Sequence, residues 1–239
     1  MSLAFFPSEV TPMLRFITAC TLVVLATAQV HAHFVFVVPA PDGKSVKVVF
    51  SDNLSPDENV DINKVASLKL TGRFTNGKEA AIESKVDKHH LAADIKLADP
   101  LCVYGSVTYG LMTRKDTKPA LLIYHPKAIF AGSDLKSATI GEKAALEIVT
   151  VTESGKTRFR LLAQGKPVAD AEGSILLPDD KKEKLKTDND GYTPAFEAPG
   201  RYAVWLKNIE TKAGEHDGKK YEEVRHYATL VADIGAKRK

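Results

Sequence analysis

The chain has 239 residues, with 33 basic against 30 acidic side chains and a formal net charge of +3. A balance this close to zero, with the basic residues scattered among acids, argues against nucleic acid as a partner. At 44% hydrophobic residues the length supports one large or two small domains with real cores.

The first predicted element is a targeting segment. Arg15 precedes an apolar run over residues 16–28 (FITACTLVVLATA), which suits a signal-peptide core and falls short of the roughly 20 residues a spanning helix needs. Met13 fits as the initiator of a compact signal. Cys20 imitates a lipoprotein cleavage box but lies in mid-core, with TLVVL still to follow. Small residues three and one before the cut suit signal peptidase, which Ala26 and Ala28 provide for a cut before Gln29, and Val30 and Ala32 for a cut before His33. Both sites stay open. Removal of residues 1–32 and a periplasmic or secreted mature protein are the expectation. No later apolar run is long enough to span a membrane, and only Cys102 survives processing, so no intramolecular disulfide can form. Its neighbours Leu101 and Val103 mark that thiol as buried.

Short strands follow. Residues 34–38 are a continuous apolar run, and Val46, Val48 and Phe50 alternate. Residues 61–68 offer the one short helical turn. Leu68 and Leu70 alternate before Asn76-Gly77, a strong hairpin signal. Further strands are predicted over 91–97, 101–109 and 120–124, and residues 131–143 (AGSDLKSATIGEK) read as a connector. Beyond it, strands at 146–151, 157–162, 173–177, 203–206 and 225–231 are punctuated by polar turns at 165–168 and 187–192. Strands at this spacing without long helices predict an all-β fold: two antiparallel β-sandwich domains in tandem, 33–130 and 140–235, after the signal peptide.

Two stretches, GKPVADAEGSILLP (165–178) and TDNDGYTPAFEAPGRYAVWL (187–206), resemble the transthyretin-like or carboxypeptidase-regulatory-like sandwich. The whole mature chain resembles the domain-of-unknown-function 4198 family of exported bacterial proteins, through AHFVFVVP (32–39), VYGSVTYG (103–110), LLIYHPKAIF (121–130) and EVRHYATL (223–230). The chain departs from that family's Tyr-Tyr-Pro-Lys pattern at His125. Members of the family are often regarded as nickel-uptake accessory components, so the resemblance implies metal handling, with a membrane metal transporter as a partner.

The histidines carry the chemistry. A cut after Ala32 would make His33 the first residue, offering a metal both its free amine and its ring. Nitrogen donors suit nickel and copper, and an amine pKa of about 7.7–8.0 lets the proton leave near neutral pH. His226, on a closing C-terminal strand, is the preferred second ligand, with His125 and the pair His89-His90 as the other candidates. A cut before Gln29 would instead place His31 and His33 on one face of a strand. His89 and His90 read as a solvated turn, His216 as a polar loop, and Asp52, Asp57, Glu58 and Asp61 as a charged surface loop without calcium-loop spacing.

No nucleophile elbow, His-Glu-x-x-His or phosphate-cradling loop occurs. The function expected is therefore non-enzymatic: an exported protein that buffers or delivers a divalent transition metal, nickel or copper, through His33, His226 and His125. The alternative is a metal-free adhesive or scaffolding protein of the cell envelope. A copper oxygenase acting on a polymer ranks lower, because Phe196, Tyr202 and Trp205 fall within core strand patterns.

Overall fold

Period-two alternation and short β-branched runs produce strands along the whole described chain, residues 33–115 and 117–235 of the computed structural model. The stretch expected to be a signal segment, both candidate cut sites and His31 lie outside those residues. In order the strands are β1 (Phe34–Pro39), β2 (Ser45–Ser51), β3 (Lys69–Phe74), β4 (Glu79–Ile82), β5 (Lys85–Asp87), β6 (His90–Asp94), β7 (Pro100–Met112) and β8 (Ala120–Ile129). They continue with β9 (Glu147–Glu153), β10 (Lys156–Ala163), β11 (Lys166–Pro167), β12 (Glu172–Leu176), β13 (Lys182–Lys186), β14 (Gly200–Glu210), β15 (Gly214–His216), β16 (Lys219–Tyr221) and β17 (Glu223–Ile234). No α-helix occurs among the described residues, and the all-β class expected is the class observed. The helical signal at 61–68 is a 3-10 turn, Ile62–Val65, started by Asp61, whose carboxylate accepts from the Asn63 amide.

Turn chemistry acts where the sequence places it. Gly77 adopts φ 77°, and its amide donates to Phe74 O, closing the β3–β4 hairpin at Asn76-Gly77. In the 187–192 turn, Asp188 Oδ1 accepts from the amides of Asp190 and Tyr192. Gly191 sits there at φ 80°, with its would-be Cβ 2.8 Å from Leu161 O, so no other residue fits without displacing backbone.

An eight-stranded sheet in the order β13-β12-β14-β17-β8-β7-β3-β4 runs through the molecule. Side chains alternate across it. Tyr124, Ala128, Ala203 and Val231 point to one face, where the β1-β2-β6-β5 sheet packs with Phe34, Val35, Val37, Val48 and Phe50. Cys102, Ile129, Val204, Leu206 and Leu230 point to the other, where the β11-β10-β9 sheet packs with Ile148, Phe159 and Leu161. β1 lies across β8 and β17, which explains why its run is apolar on both sides and buried along nearly its whole length.

Each face of the sheet thus carries an apolar core to which both halves of the chain contribute, and the sheet does not break at the 131–143 connector. β8 and β17 pair in parallel over ten residue pairs, from Glu223↔Ala120 to Ala232↔Ile129. Residues 33–115 and 117–235 cluster as one unit. The connector is held by Glu147, buried at the start of β9, which pairs with the Lys127 ammonium of β8 and accepts from the Ile140 and Gly141 amides at 2.8 and 3.0 Å.

Candidate functional site

His33 stands immediately before β1, where its strand enters the layer above β8. Its Nε2 lies 3.0 Å from Asp57 Oδ2. Asp57 is fixed in turn, because its Oδ1 accepts from the Asn59 amide at 2.9 Å. That backbone bond, then the His33 contact, holds the Asp57 carboxyl below its ordinary range. The His33 ring meets Phe50 edge-on, with centroids 5.9 Å apart, and its main-chain carbonyl accepts from the Tyr124 hydroxyl at 3.3 Å. Burial first, then neighbouring Tyr227 and Tyr109, pushes the Tyr124 phenol well above its usual value, so it stays a donor.

His125 and His226 come together elsewhere. They sit on the adjacent parallel strands β8 and β17, and His125 Nε2 lies 2.9 Å from His226 Nδ1. Their 5.2 Å centroid separation is the 2.9 Å contact plus roughly a ring radius at each end, so the rings meet end on rather than face to face. The contact is a hydrogen bond between two imidazoles, and one nitrogen must carry the proton. Glu210 Oε2 stands 3.6 Å from His226 Nε2. A carboxylate there favours the proton on Nε2, leaving His226 Nδ1 to accept and His125 Nε2 to donate. Burial, and then the His226 charge, depresses His125 to about 3; burial also lowers His226, against the opposing pull of Glu210.

These two constellations lie on opposite faces of the main sheet. Tyr124 and His125 are consecutive in β8, as are His226 and Tyr227 in β17, so their side chains alternate. Tyr124 and Tyr227 stack together on the side of β1 and His33, with centroids 5.5 Å apart, and His125 and His226 face away. The set of His33, His226 and His125 is therefore divided into one ring with Asp57 and one pair with Glu210. Among the described residues no group of three or more His, Cys, Asp or Glu side chains is arranged to hold a metal ion. A three-histidine set does not fit, and His33 is left with the Asp57 carboxylate as its neighbour.

The remaining histidines are peripheral. His90 Nε2 is 3.7 Å from Asp87, and His216 Nε2 is 3.4 Å from Asp217 at the β15–β16 hairpin. Cys102 is fully buried, and burial pushes its thiol up. Asp57 and Glu210 are the partners that sequence reasoning passed over. Asp57 was legible in the repeated Asp-x-Asn of Asp57-Glu58-Asn59 and Asp61-Ile62-Asn63, whose first carboxylates hold turns. Nothing in the sequence points to Glu210, because only the β14–β17 register, Asn208↔His226 and Glu210↔Val224, brings it near His226.

No protein-family model matches the chain, and no curated protein matches it. Among solved structures it is similar to pullulanase from Anoxybacillus sp. LM18-11. The maltotriose complex is 10% identical with a TM-score of 0.20 over 74% of this chain and 24% of the other. A second pullulanase structure from the same source is 11% identical with a TM-score of 0.19 over 81% and 27%. The chain spans about a quarter of the length of those structures.

Proposed function

We propose that this is an exported metal-binding protein that buffers or delivers a divalent transition ion, nickel or copper, with His33 at the mature N-terminus as its first ligand. The observation that supports the reading best is the contact between His33 Nε2 and Asp57. A metal-binding imidazole usually gives its second nitrogen to a carboxylate, which fixes the ring and raises the basicity of the ligating atom. With Nε2 so committed, Nδ1 remains for the metal. A cut between Ala32 and His33 would free the amine of the same residue and complete a two-nitrogen chelate. The bound ion would supply Lewis acidity and exchangeable coordination positions.

His125 and His226 are occupied with each other on the far face, so the other positions would fall to water or to donors of a delivery partner such as a membrane transporter. An open set of this kind suits transfer better than a closed structural site, which fills four positions with protein ligands.

Mass spectrometry of the exported protein, combined with copper and nickel titration, tests the reading. The expected mature start is His33; His33→Ala should lose tight binding, and Asp57→Asn should weaken it roughly 10- to 100-fold. A mature start at Gln29 with unchanged affinity in His33→Ala sinks the proposal, and a protein with no tight site at all favours the metal-free scaffold.

A further inference from the structure

A pocket of about 340 Å³ opens on the face of the main sheet that carries His125, between β3, β7 and β8 on one side and residues 140–147 on the other. Its volume lies at the low end for small-molecule sites, which are mostly apolar with a few placed polar groups. Ile140 and Leu146 supply apolar wall, and His125 forms part of the lining as a neutral ring.

The charge balance of the lining is one-sided. Its one carboxylate among the described residues, Glu147, is consumed by Lys127 and by the Ile140 and Gly141 amides. Beyond the rim, Glu79 is committed to Arg73 at 2.6 Å and engages the Tyr104 hydroxyl, with Lys143 acting on it only as a weaker charge. That leaves the exposed ammonium groups of Lys69 and Lys143 on the two sides of the opening, with the Thr71 and Ser106 hydroxyls in the lining. Two cations across a small, partly apolar cavity from which the only carboxylate has been neutralised select for negative charge on a compact body.

We propose that this pocket binds a small organic anion, a carboxylate of a few carbons, with Lys69 and Lys143 taking its charge, Thr71 and Ser106 donating to it, and Ile140 and Leu146 packing on its carbon skeleton. The site is separate from His33, on the opposite face of the sheet, and does not depend on metal binding there.

Calorimetric titration of the mature protein with succinate, inorganic phosphate and glycerol, together with amide chemical-shift mapping, tests this. Succinate should bind and shift the amides of Thr71, Ser106 and His125, while glycerol should not. The double variant K69A/K143A, changed only at exposed side chains, should lose at least tenfold in affinity and keep the wild-type melting temperature. S106W, which fills the cavity, should abolish binding, and His33→Ala should leave it unchanged. Failure of succinate to bind, equal affinity in K69A/K143A, or shifts confined to another surface each overturns the proposal. Phosphate binding as tightly as succinate overturns the assignment of an organic ligand, because the apolar wall would then contribute nothing.

Discussion

His125 carries a consequence for pH that follows from its burial. In the unfolded chain a histidine takes up a proton near pH 6.5, whereas folded His125 resists protonation down to about 3. Between those values the unfolded state holds more protons, so stability rises with pH across the window and is lost as pH falls through it. The loss should be on the order of 3 kcal/mol by pH 4, with His226, lowered in the same direction, adding to it. The groups that face the pair are Glu210, 3.6 Å from His226, and Lys212, whose charge also disfavours a proton on His226. Urea denaturation at pH 7.5 and pH 4.5 measures the effect, and His125→Gln should flatten the dependence while lowering stability at pH 7.5. A wild-type midpoint unchanged between the two pH values would contradict it. The pair itself was only half legible. Alternation predicts that His226 points out of a sheet, whereas the strand expected over 120–124 stops short of His125 and in fact runs on to Ile129; nothing local encodes a parallel pairing between strands about a hundred residues apart. The same limit divided His33 from them: which face a strand shows its neighbours is a property of the assembled sheet.

At the scale of elements, the buried Lys127–Glu147 pair is the joint between β8, β9 and the 131–143 connector. Both side chains are almost fully excluded from solvent, at 3% and 1% exposure, so removing one partner strands a charge in low dielectric. Lys127→Ala or Glu147→Ala should each cost about 3–5 kcal/mol. The pair K127M/E147L restores the volume without the charges and should recover much of that loss. It should still fall short of wild type by about 1–3 kcal/mol, because the Ile140 and Gly141 amides lose their acceptor. Chemical denaturation of the three variants separates the contributions, and a double variant worse than either single one would show that the pair is held for its charge. Elements whose cause is local were readable in advance. The Asn76-Gly77 hairpin, the 187–192 turn and the strand after Pro199-Gly200 form where their residues demand φ > 0 or punctuation. The connector read as a spacer because its residues are small and polar, and its anchoring depends on Glu147 reaching back to residues 127, 140 and 141, a contact that no residue pattern announces.

For the whole molecule, the continuous sheet decides how the chain should unfold. The composition of each half supports a core, and 33–130 and 140–235 read as tandem sandwiches because each has its own strands and turns. The structure adds what couples them: the β8–β17 ladder, the Thr229 hydroxyl donating to Val35 O at 2.6 Å, and Phe34 stacked on Trp205 with centroids 4.2 Å apart and planes 18° apart. Opening one half would expose the apolar face of β1 and leave β17 with an unpaired edge, a strongly penalised state for a strand buried on both faces. Residues 33–235 should therefore unfold in a single cooperative step rather than two. Trp205 is the chain's one tryptophan and lies in that coupling contact, so its fluorescence reports the junction while far-ultraviolet circular dichroism reports all strands. The two transitions should coincide in urea, and a fragment covering 140–235 should fail to show a cooperative transition of its own. Separate midpoints, or a fragment that melts cooperatively, would mean that the shared sheet is a contact between two independent domains. The contacts that decide the matter join residues from about one hundred to nearly two hundred positions apart. Their loop-closure cost must be met before they stabilise anything, so refolding should also be slow for a chain of this size.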